Sequence, residues 1–195
     1  MLMPIFEKNN EMNKYSVVFM PDAQTIDLIK EMKLRLSTEI GWFNSKNSLA
    51  HFTIFEFLEV NASEAKFCKQ LERIASEIHS FEITCDAFDY FENGAFYIKP
   101  NTLSADHMTH VMKLIIKETN TIKKEITNTT PHLTIGRRLN DEQLHIAKQL
   151  FQEIHIHFQV THLTLRKFNE HTRQFDLYKY FPLLGKPKEI QGSLF

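Results

Sequence analysis

Two short stretches of this 195-residue chain carry the same alternation of polar and apolar residues. The first stretch is Ala50-His51-Phe52-Thr53-Ile54, and the second is Pro131-His132-Leu133-Thr134-Ile135-Gly136-Arg137. Side chains alternate between the two faces of a β-strand. Each stretch therefore predicts a strand that buries its apolar residues and presents a histidine and a threonine on the opposite face.

The elements predicted around the two stretches recur at a constant spacing. The two histidines are 81 residues apart, strand-like runs begin near residues 15 and 95, and amphipathic helices begin near residues 61 and 140. A constant offset of this kind indicates an internal duplication, here of a strand–helix–strand–helix–strand unit. We therefore predict a single α+β domain of two lobes, in which a pseudo-twofold axis brings both histidine strands to one groove.

The expected domain covers residues 15–184, with pseudo-repeats at about 15–91 and 95–168. Residues 1–14 and 185–195 are expected to be tails. The N-terminal residues do not have the pattern of a signal peptide, and no apolar run reaches the length of a membrane span. We therefore expect a cytoplasmic protein that does not associate with membranes.

Composition narrows the class of ligand. The chain is 43% hydrophobic and 24% charged, with a formal net charge of −1. These values are typical of a globular protein, and they argue against a global basic field that would attract long nucleic acids. A small anionic ligand needs only a local basic patch. Cys68 and Cys85 lack the spacing of a metal site, so we expect both to be reduced and buried and no metal to be bound.

Four His-x-Thr triplets occur, beginning at His51, His107, His132 and His162. His107 lies in a predicted helix, where residues two apart do not share a face. His162 lies in a predicted strand, but the first repeat has no such triplet at the corresponding position near residues 83–85. We therefore interpret His162 as a surface histidine and retain His51 and His132 as the candidate pair.

The paired motifs, their separation and the order of strands resemble the 2H phosphoesterase superfamily, and more narrowly its bacterial 2′-5′ RNA ligase and RNA 2′,3′-cyclic phosphodiesterase branch. The resemblance extends from Tyr15 to about Phe181. It implies duplicated, largely antiparallel sheets that line a central cleft, with helices outside. It also implies cleavage of cyclic phosphodiesters without a metal or other cofactor. The residues it assigns are an acid–base pair, His51 and His132, and three phosphate contacts, Thr53, Thr134 and Arg137.

The chemistry of these residues is compatible with that activity. An imidazole titrates near about pH 6.5, so one ring can accept a proton while the other donates one. Threonine hydroxyls and a guanidinium can stabilise the charge that develops on phosphoryl oxygens. Arg137 presents a geometric difficulty, because it lies five residues after His132 and a regular strand would direct it to the opposite face. We expect a bulge or turn at Gly136 to correct its direction.

Two other functions are compatible with the same residues. One is 2′-5′ RNA ligase activity, which is the reverse reaction, and the other is a nucleotide- or RNA-binding module without turnover. We expect the partner to be a nucleotide or a short RNA with a cyclic phosphate, and the protein to be a monomer. Tyr15, Trp42 and Phe43 are candidates for stacking on a base.

Overall fold

Residues 11–188, which are the residues that the computed structural model describes, form nine strands and four α-helices. In chain order they are β1 Met12–Phe19, α1 Ala23–Ile40, β2 Phe52–Val60, α2 Glu64–Glu77, β3 Phe81–Phe91, β4 Ala95–Pro100, α3 Thr102–Glu118, β5 Lys124–Thr127, β6 Leu133–Gly136, α4 Asp141–Leu150, β7 Ile156–Val160, β8 His162–Asn169 and β9 Gln174–Pro182. A short 3₁₀ helix, Asn61–Ser63, leads into α2.

The strands form two antiparallel sheets, one ordered β5-β2-β1-β8-β9 and the other β6-β4-β3-β7. In each sheet a histidine-motif strand lies beside the first strand of its own half. The next strand then comes from the other half, which gives β2-β1-β8 in one sheet and β6-β4-β3 in the other. The predicted α+β fold of two similar halves with antiparallel sheets is confirmed.

The first helix of each half packs against the motif strand of the opposite half. Helix α1 contacts β6 and α4, whereas α3 contacts β2 as well as β3 and β4. The buried apolar side chains of both halves belong to one continuous core. The motif strands are thus held by packing from both halves, and this packing fixes their positions relative to each other.

Within residues 154–168 the chain forms two strands, β7 and β8, which lie in different sheets. The apolar positions explain the division. Ile156, Phe158 and Val160 are buried along β7, whereas Leu163 and Leu165 are buried along β8. The buried apolar residues change from even to odd positions at Thr161, and there the chain leaves β3 and pairs with β1.

The ends of the domain differ slightly from the prediction. Strand β1 begins at Met12, three residues before the expected start, while residues 1–10 and 189–195 lie outside the described part. The first residues of the expected C-terminal tail are hydrogen-bonded to the end of α2 and the residue after it. Gly185 N donates to Ile78 O at 2.9 Å, and Lys186 N donates to Ser76 O at 2.8 Å. Of the helices within residues 11–188, none has the length and apolar character needed to cross a bilayer.

Candidate active site

His51 lies immediately before β2 and is fixed by its own backbone. Its Nδ1 is 2.6 Å from the carbonyl oxygen of Leu49. A carbonyl oxygen can only accept a hydrogen bond, so Nδ1 carries the proton and Nε2 is the nitrogen left unprotonated in the neutral ring. This contact therefore selects the tautomer whose Nε2 can act as a base.

His132 has the same arrangement at the start of β6. Its Nδ1 is 2.7 Å from the carbonyl oxygen of Thr130, which again lies two residues upstream. The ring packs edge-on against Phe91 at 5.1 Å between centroids, and it lies 5.2 Å from the ring of Tyr97. The two histidines thus occupy equivalent positions in the two halves and share one tautomer.

Each motif strand contains an irregularity directly after its threonine. In β2, Val18 pairs with Thr53 and Val17 pairs with Phe55, so Ile54 is an extra residue without a partner in β1. In β6, Tyr97 pairs with Thr134 and Phe96 pairs with Gly136, so Ile135 is extra in the same way. Such a β-bulge reverses the face on which the following residues lie.

The bulge in β6 resolves the difficulty with Arg137. It occurs at Ile135, one residue before the predicted position at Gly136, and Arg137 lines the cleft. The loop after α1 holds this end of β6 in place, because Arg137 N donates to Asn44 O at 3.1 Å and Ser45 Oγ donates to Ile135 O at 2.9 Å. A similar hydrogen bond stabilises the bulge in β2, where Asn128 N donates to Ile54 O at 2.8 Å.

A cleft of about 430 Å³ lies over the five-stranded sheet and reaches both the loop after α1 and the segment after β6. It is lined by Asn44, Ser45, Ser48, His51, Thr53, Glu56, Arg137, Arg138, Arg166, Phe168, Arg173, Gln174 and Phe175. Three of the five predicted site residues, His51, Thr53 and Arg137, therefore share one cavity. His132 and Thr134 are half-buried and are not part of its lining.

The electrostatic environment connects His132 to this cavity. Burial lowers the pKa of His51 well below its usual value, and the charges of Arg166, Lys33 and His132 lower it further against the raising effect of the Leu49 carbonyl. Burial also lowers the pKa of His132; the Thr130 carbonyl opposes this effect and Arg137 adds to it. His132 thus lies close enough to the cavity to act on His51 by its charge.

Arg166 is the main residue of the cleft that sequence reasoning missed. It lies on β8, is only 2% exposed and donates from Nη2 to Phe175 O at 2.8 Å. Its Nε and Nη1 are buried without a hydrogen-bond partner among the described residues. Burial lowers its pKa to about 10, although Glu56 and Asp176 oppose the shift, so it remains a cation at neutral pH.

The three candidates for base stacking differ in their surroundings. Tyr15 is completely buried and packs against Phe57 at 5.3 Å and Phe67 at 5.0 Å, so it lies within the core. Phe43 is also buried, whereas Trp42 is 70% exposed and does not line the cleft. The aromatic side chains that do line the cleft are Phe168 and Phe175, with centroids 5.2 Å apart.

The other residues considered from the sequence lie outside the cleft. His162 is exposed at the start of β8, where its Nδ1 is 2.8 Å from Thr161 Oγ1. Cys68 and Cys85 are free and buried, in line with the expectation. Within residues 11–188, no three His, Cys, Asp or Glu side chains come together in a way that would hold a metal ion.

Comparisons with known proteins bear on the family and the fold of this chain. The model of the 2'-5' RNA ligase superfamily matches residues 22–172, whereas no curated protein sequence matches the chain. Solved structures share its fold. The protein TT0787 of Thermus thermophilus has a TM-score of 0.59 at 14% identity, over 89% of this chain and 100% of its own. E. coli LigT complexed with 3'-AMP has a TM-score of 0.59 at 14% identity, over 89% and 99%.

Usb1 of Kluyveromyces marxianus has a TM-score of 0.50 at 12% identity, over 90% of this chain and 99% of its own. At these identities the solved structures establish the fold alone. The family model covers well over half of the chain and includes both histidine motifs with their threonines. The protein described here therefore belongs to the 2'-5' RNA ligase superfamily, as its resemblance to the 2H phosphoesterases predicted.

Proposed function

We propose that this protein opens cyclic phosphodiesters, namely the 2′,3′-cyclic phosphate at the end of an RNA or on a small nucleotide, by acid–base catalysis that needs no metal. The observation that carries the proposal is the matched setting of His51 and His132. Each ring donates from Nδ1 to a carbonyl two residues upstream, and each Nε2 is left to exchange a proton. Paired imidazoles of this kind suit a reaction in which one oxygen loses a proton while another gains one.

The reacting phosphate would lie between the two histidines. Thr53 and Thr134 would donate hydroxyl hydrogen bonds to its non-bridging oxygens, and the guanidinium of Arg137 would offset the growing negative charge. Four arginines and one glutamate line the cleft, and that glutamate, Glu56, already forms an ion pair with Lys14 at 2.7 Å. This excess of positive charge favours a phosphate. E. coli LigT, which shares the fold, has been crystallised with 3'-AMP, NADP+ and ATP, which supports a nucleotide as the ligand here.

The different surroundings of the two rings suggest which histidine is the base. The pKa of His51 is lowered further than that of His132, because burial lowers it most and the charges of Arg166, Lys33 and His132 add to that effect. A proton shared by the pair therefore resides on His132. Neutral His51 would take a proton from water as the water oxygen bonds to phosphorus. His132 would give its proton to the ribose oxygen as the bond from that oxygen to phosphorus breaks, which leaves a phosphomonoester and a free hydroxyl.

Ligation is the second candidate, because the family is named for 2'-5' RNA ligases. In ligation, the 5′-hydroxyl of another RNA takes the place of water and reacts with the 2′,3′-cyclic phosphate. The same two histidines would transfer the protons. Incubating RNA ends of both kinds with the protein and separating the products tests for a new 2′-5′ linkage. A protein that binds these RNAs but leaves them unchanged would instead be a binding module.

The hydrolytic proposal is tested with His51→Ala and His132→Ala on adenosine 2′,3′-cyclic phosphate. Each substitution removes one proton-transfer group, so kcat/KM should fall by about 10²–10⁴. His162→Ala is the matched control, since it removes a histidine from a third His-x-Thr triplet that lies outside the cleft. Circular dichroism confirms that each variant is folded. Undiminished turnover by either motif variant would exclude this mechanism.

A further inference from the structure

Arg166 is a buried cation whose Nε and Nη1 have no partner among the described residues. Burying a charged donor without a hydrogen bond costs free energy, so a donor of this kind in the lining of a cleft marks a place where a bound ligand can supply the acceptor. The acidic side chain nearest along the sheet does not fill this role. Glu56 and Arg166 both flank Ser16, but Glu56 is engaged by Lys14 at 2.7 Å.

The backbone of Arg166 lies apart from the motif strand, although the charge of its side chain reaches His51. Thr53 pairs with Val18, and Arg166 pairs with Ser16, two residues further along β1 and on the other side of it. From strand spacing and rise, the backbones of Thr53 and Arg166 are about 12 Å apart. The hydrogen bond from Arg166 to Phe175 O draws the guanidinium toward β9, away from the motif strand. Under the proposed mechanism the motif residues and Arg137 hold the reacting phosphate, so the Nε and Nη1 of Arg166 are left for another group.

The neighbours of Arg166 indicate what that group is attached to. Phe168 and Phe175 form an edge-to-face pair beside it, and Arg173 lies 5.9 Å from the centre of the Phe168 ring at the rim. Aromatic faces bind the apolar surfaces of bases and sugars, whereas guanidinium groups bind phosphates. Here two guanidinium groups and two aromatic rings line the same wall of the cleft. This combination suits a ligand in which a nucleoside lies between two phosphates.

We propose that Arg166 binds a second phosphate of the substrate, on the 5′ side of the nucleoside whose cyclic phosphate is opened, with Arg173 assisting from the rim. This inference rests on the proposed function and specifies its substrate class. The favoured substrate carries two phosphates, and a nucleoside 2′,3′-cyclic phosphate alone fills only part of the cleft. The second phosphate can be a terminal 5′-phosphate or the internucleotide phosphate of a short RNA, since both present the same acceptor oxygens.

Three probes test the proposal: adenosine 2′,3′-cyclic phosphate, the same compound with a 5′-phosphate, and the dinucleotide ApA ending in a 2′,3′-cyclic phosphate. The wild-type protein should turn over at least one of the two-phosphate probes with a kcat/KM tenfold or more above that of the first. Preference for the dinucleotide identifies the end of an RNA as the source of the second phosphate, and preference for the 5′-phosphate identifies a mononucleotide. Equal values for all three probes would overturn the proposal and leave the proposed function intact, whereas no turnover of any probe would refute the proposed function itself.

Arg166→Gln should reduce the preference to near unity. Lys167→Gln is the matched control, because Lys167 lies next to Arg166 on β8 but on the opposite face, 5.7 Å from the centre of the buried Tyr15 ring. The control should keep the wild-type preference. An undiminished preference in a folded Arg166→Gln variant would assign Arg166 a purely structural role.

If Arg166→Gln does not fold, the exposed Arg173 provides a second variant. Arg173→Gln should reduce the preference several-fold, and adenosine 5′-monophosphate should inhibit the wild-type protein competitively where adenosine does not. An unchanged preference together with equal inhibition by both compounds would again reject the second phosphate site.

Discussion

Lys33 offers a direct test of how the cations around the cleft are balanced. This residue lies on α1, is 1% exposed and donates from Nζ to Ser48 O at 2.7 Å. Ser48 lines the cleft three residues before His51. Burial, and then the charge of Arg166, lowers the pKa of Lys33 from 10.5 to about 8. Lys33→Met keeps an unbranched side chain of similar length and removes the charge.

The expected magnitude follows from this pKa. The folded protein holds the Lys33 proton less tightly than the unfolded chain, so below pH 8 the charged amine costs about 3 kcal/mol of stability. As pH rises from about 8 to 10.5, the folded protein loses the proton first, and the cost disappears. Methionine carries no proton, so the variant does not share this gain. The free energy of unfolding of Lys33→Met, minus that of wild type, should therefore fall by about 3 kcal/mol between pH 7 and pH 10.5.

At pH 7, Lys33→Met removes the cost of burying the charged amine, but it also removes the hydrogen bond to Ser48 O, which offsets part of that gain in stability. A buried carbonyl left without its donor costs about 1–3 kcal/mol, so the two proteins should differ little in stability near neutrality. The variant should nevertheless have a lower kcat/KM for adenosine 2′,3′-cyclic phosphate, because the turn that leads to His51 loses an anchor. The pH dependence is therefore the more specific signature of the buried charge.

Urea denaturation at pH 7, 8, 9 and 10 measures the difference directly. Lys30→Met is the matched control, since Lys30 is exposed on the same helix, and its difference from wild type should not change with pH. Tyrosines and other groups titrate equally in all three proteins, so subtraction removes their contribution. A difference between Lys33→Met and wild type that stays constant from pH 7 to pH 10 would refute the reasoning about Lys33.

Two further predictions concern the turn beside Arg137 and the need for a metal. Gly94 has φ of +77°, and a Cβ there would collide with the backbone of Leu139; Gly94→Ala should therefore cost at least about 2 kcal/mol in urea denaturation and lower kcat/KM. Gly41→Ala is its control, because Gly41 has φ of +74° with open space around it and should lose less; equal losses would exclude the collision as the cause. Prior treatment with EDTA should leave hydrolysis of the cyclic phosphate unchanged, and strong inhibition reversed by a divalent cation would contradict metal-independent catalysis.

Local alternation was enough to predict the motif strands and the need for a bulge near Arg137. The bulge in β2 was also visible in principle. Phe52 and Ile54 are buried, and so are Phe55 and Phe57, which marks a change of phase between residues 54 and 55. This change of phase follows the stretch 50–54, from which the strand was predicted, so the prediction did not include it. The same kind of phase change at Thr161 divides β7 from β8.

Arg166 could not be identified from local pattern alone. On β8, Leu163 and Leu165 alternate with Thr164 and Arg166, which is also the pattern of a strand with one solvent-facing side. Two long-range pairings make the difference, since β1 places β8 in the same sheet as the motif strand β2, and β9 supplies the Phe175 carbonyl. Neither pairing is encoded within the strand itself.

The duplication explains the similarity of the two histidines, and the strand exchanged between the halves explains their difference. Val17 pairs with Leu165 on β8 in one sheet, and Phe96 pairs with Tyr90 on β3 in the other. One residue further along these strands lies Arg166 in the first case and Phe91 in the second. A cation therefore acts on His51 where an aromatic ring packs against His132. Acid–base catalysis by two imidazoles requires one protonated and one neutral ring, and under the proposed mechanism this exchange of strands determines which copy of the motif takes which role.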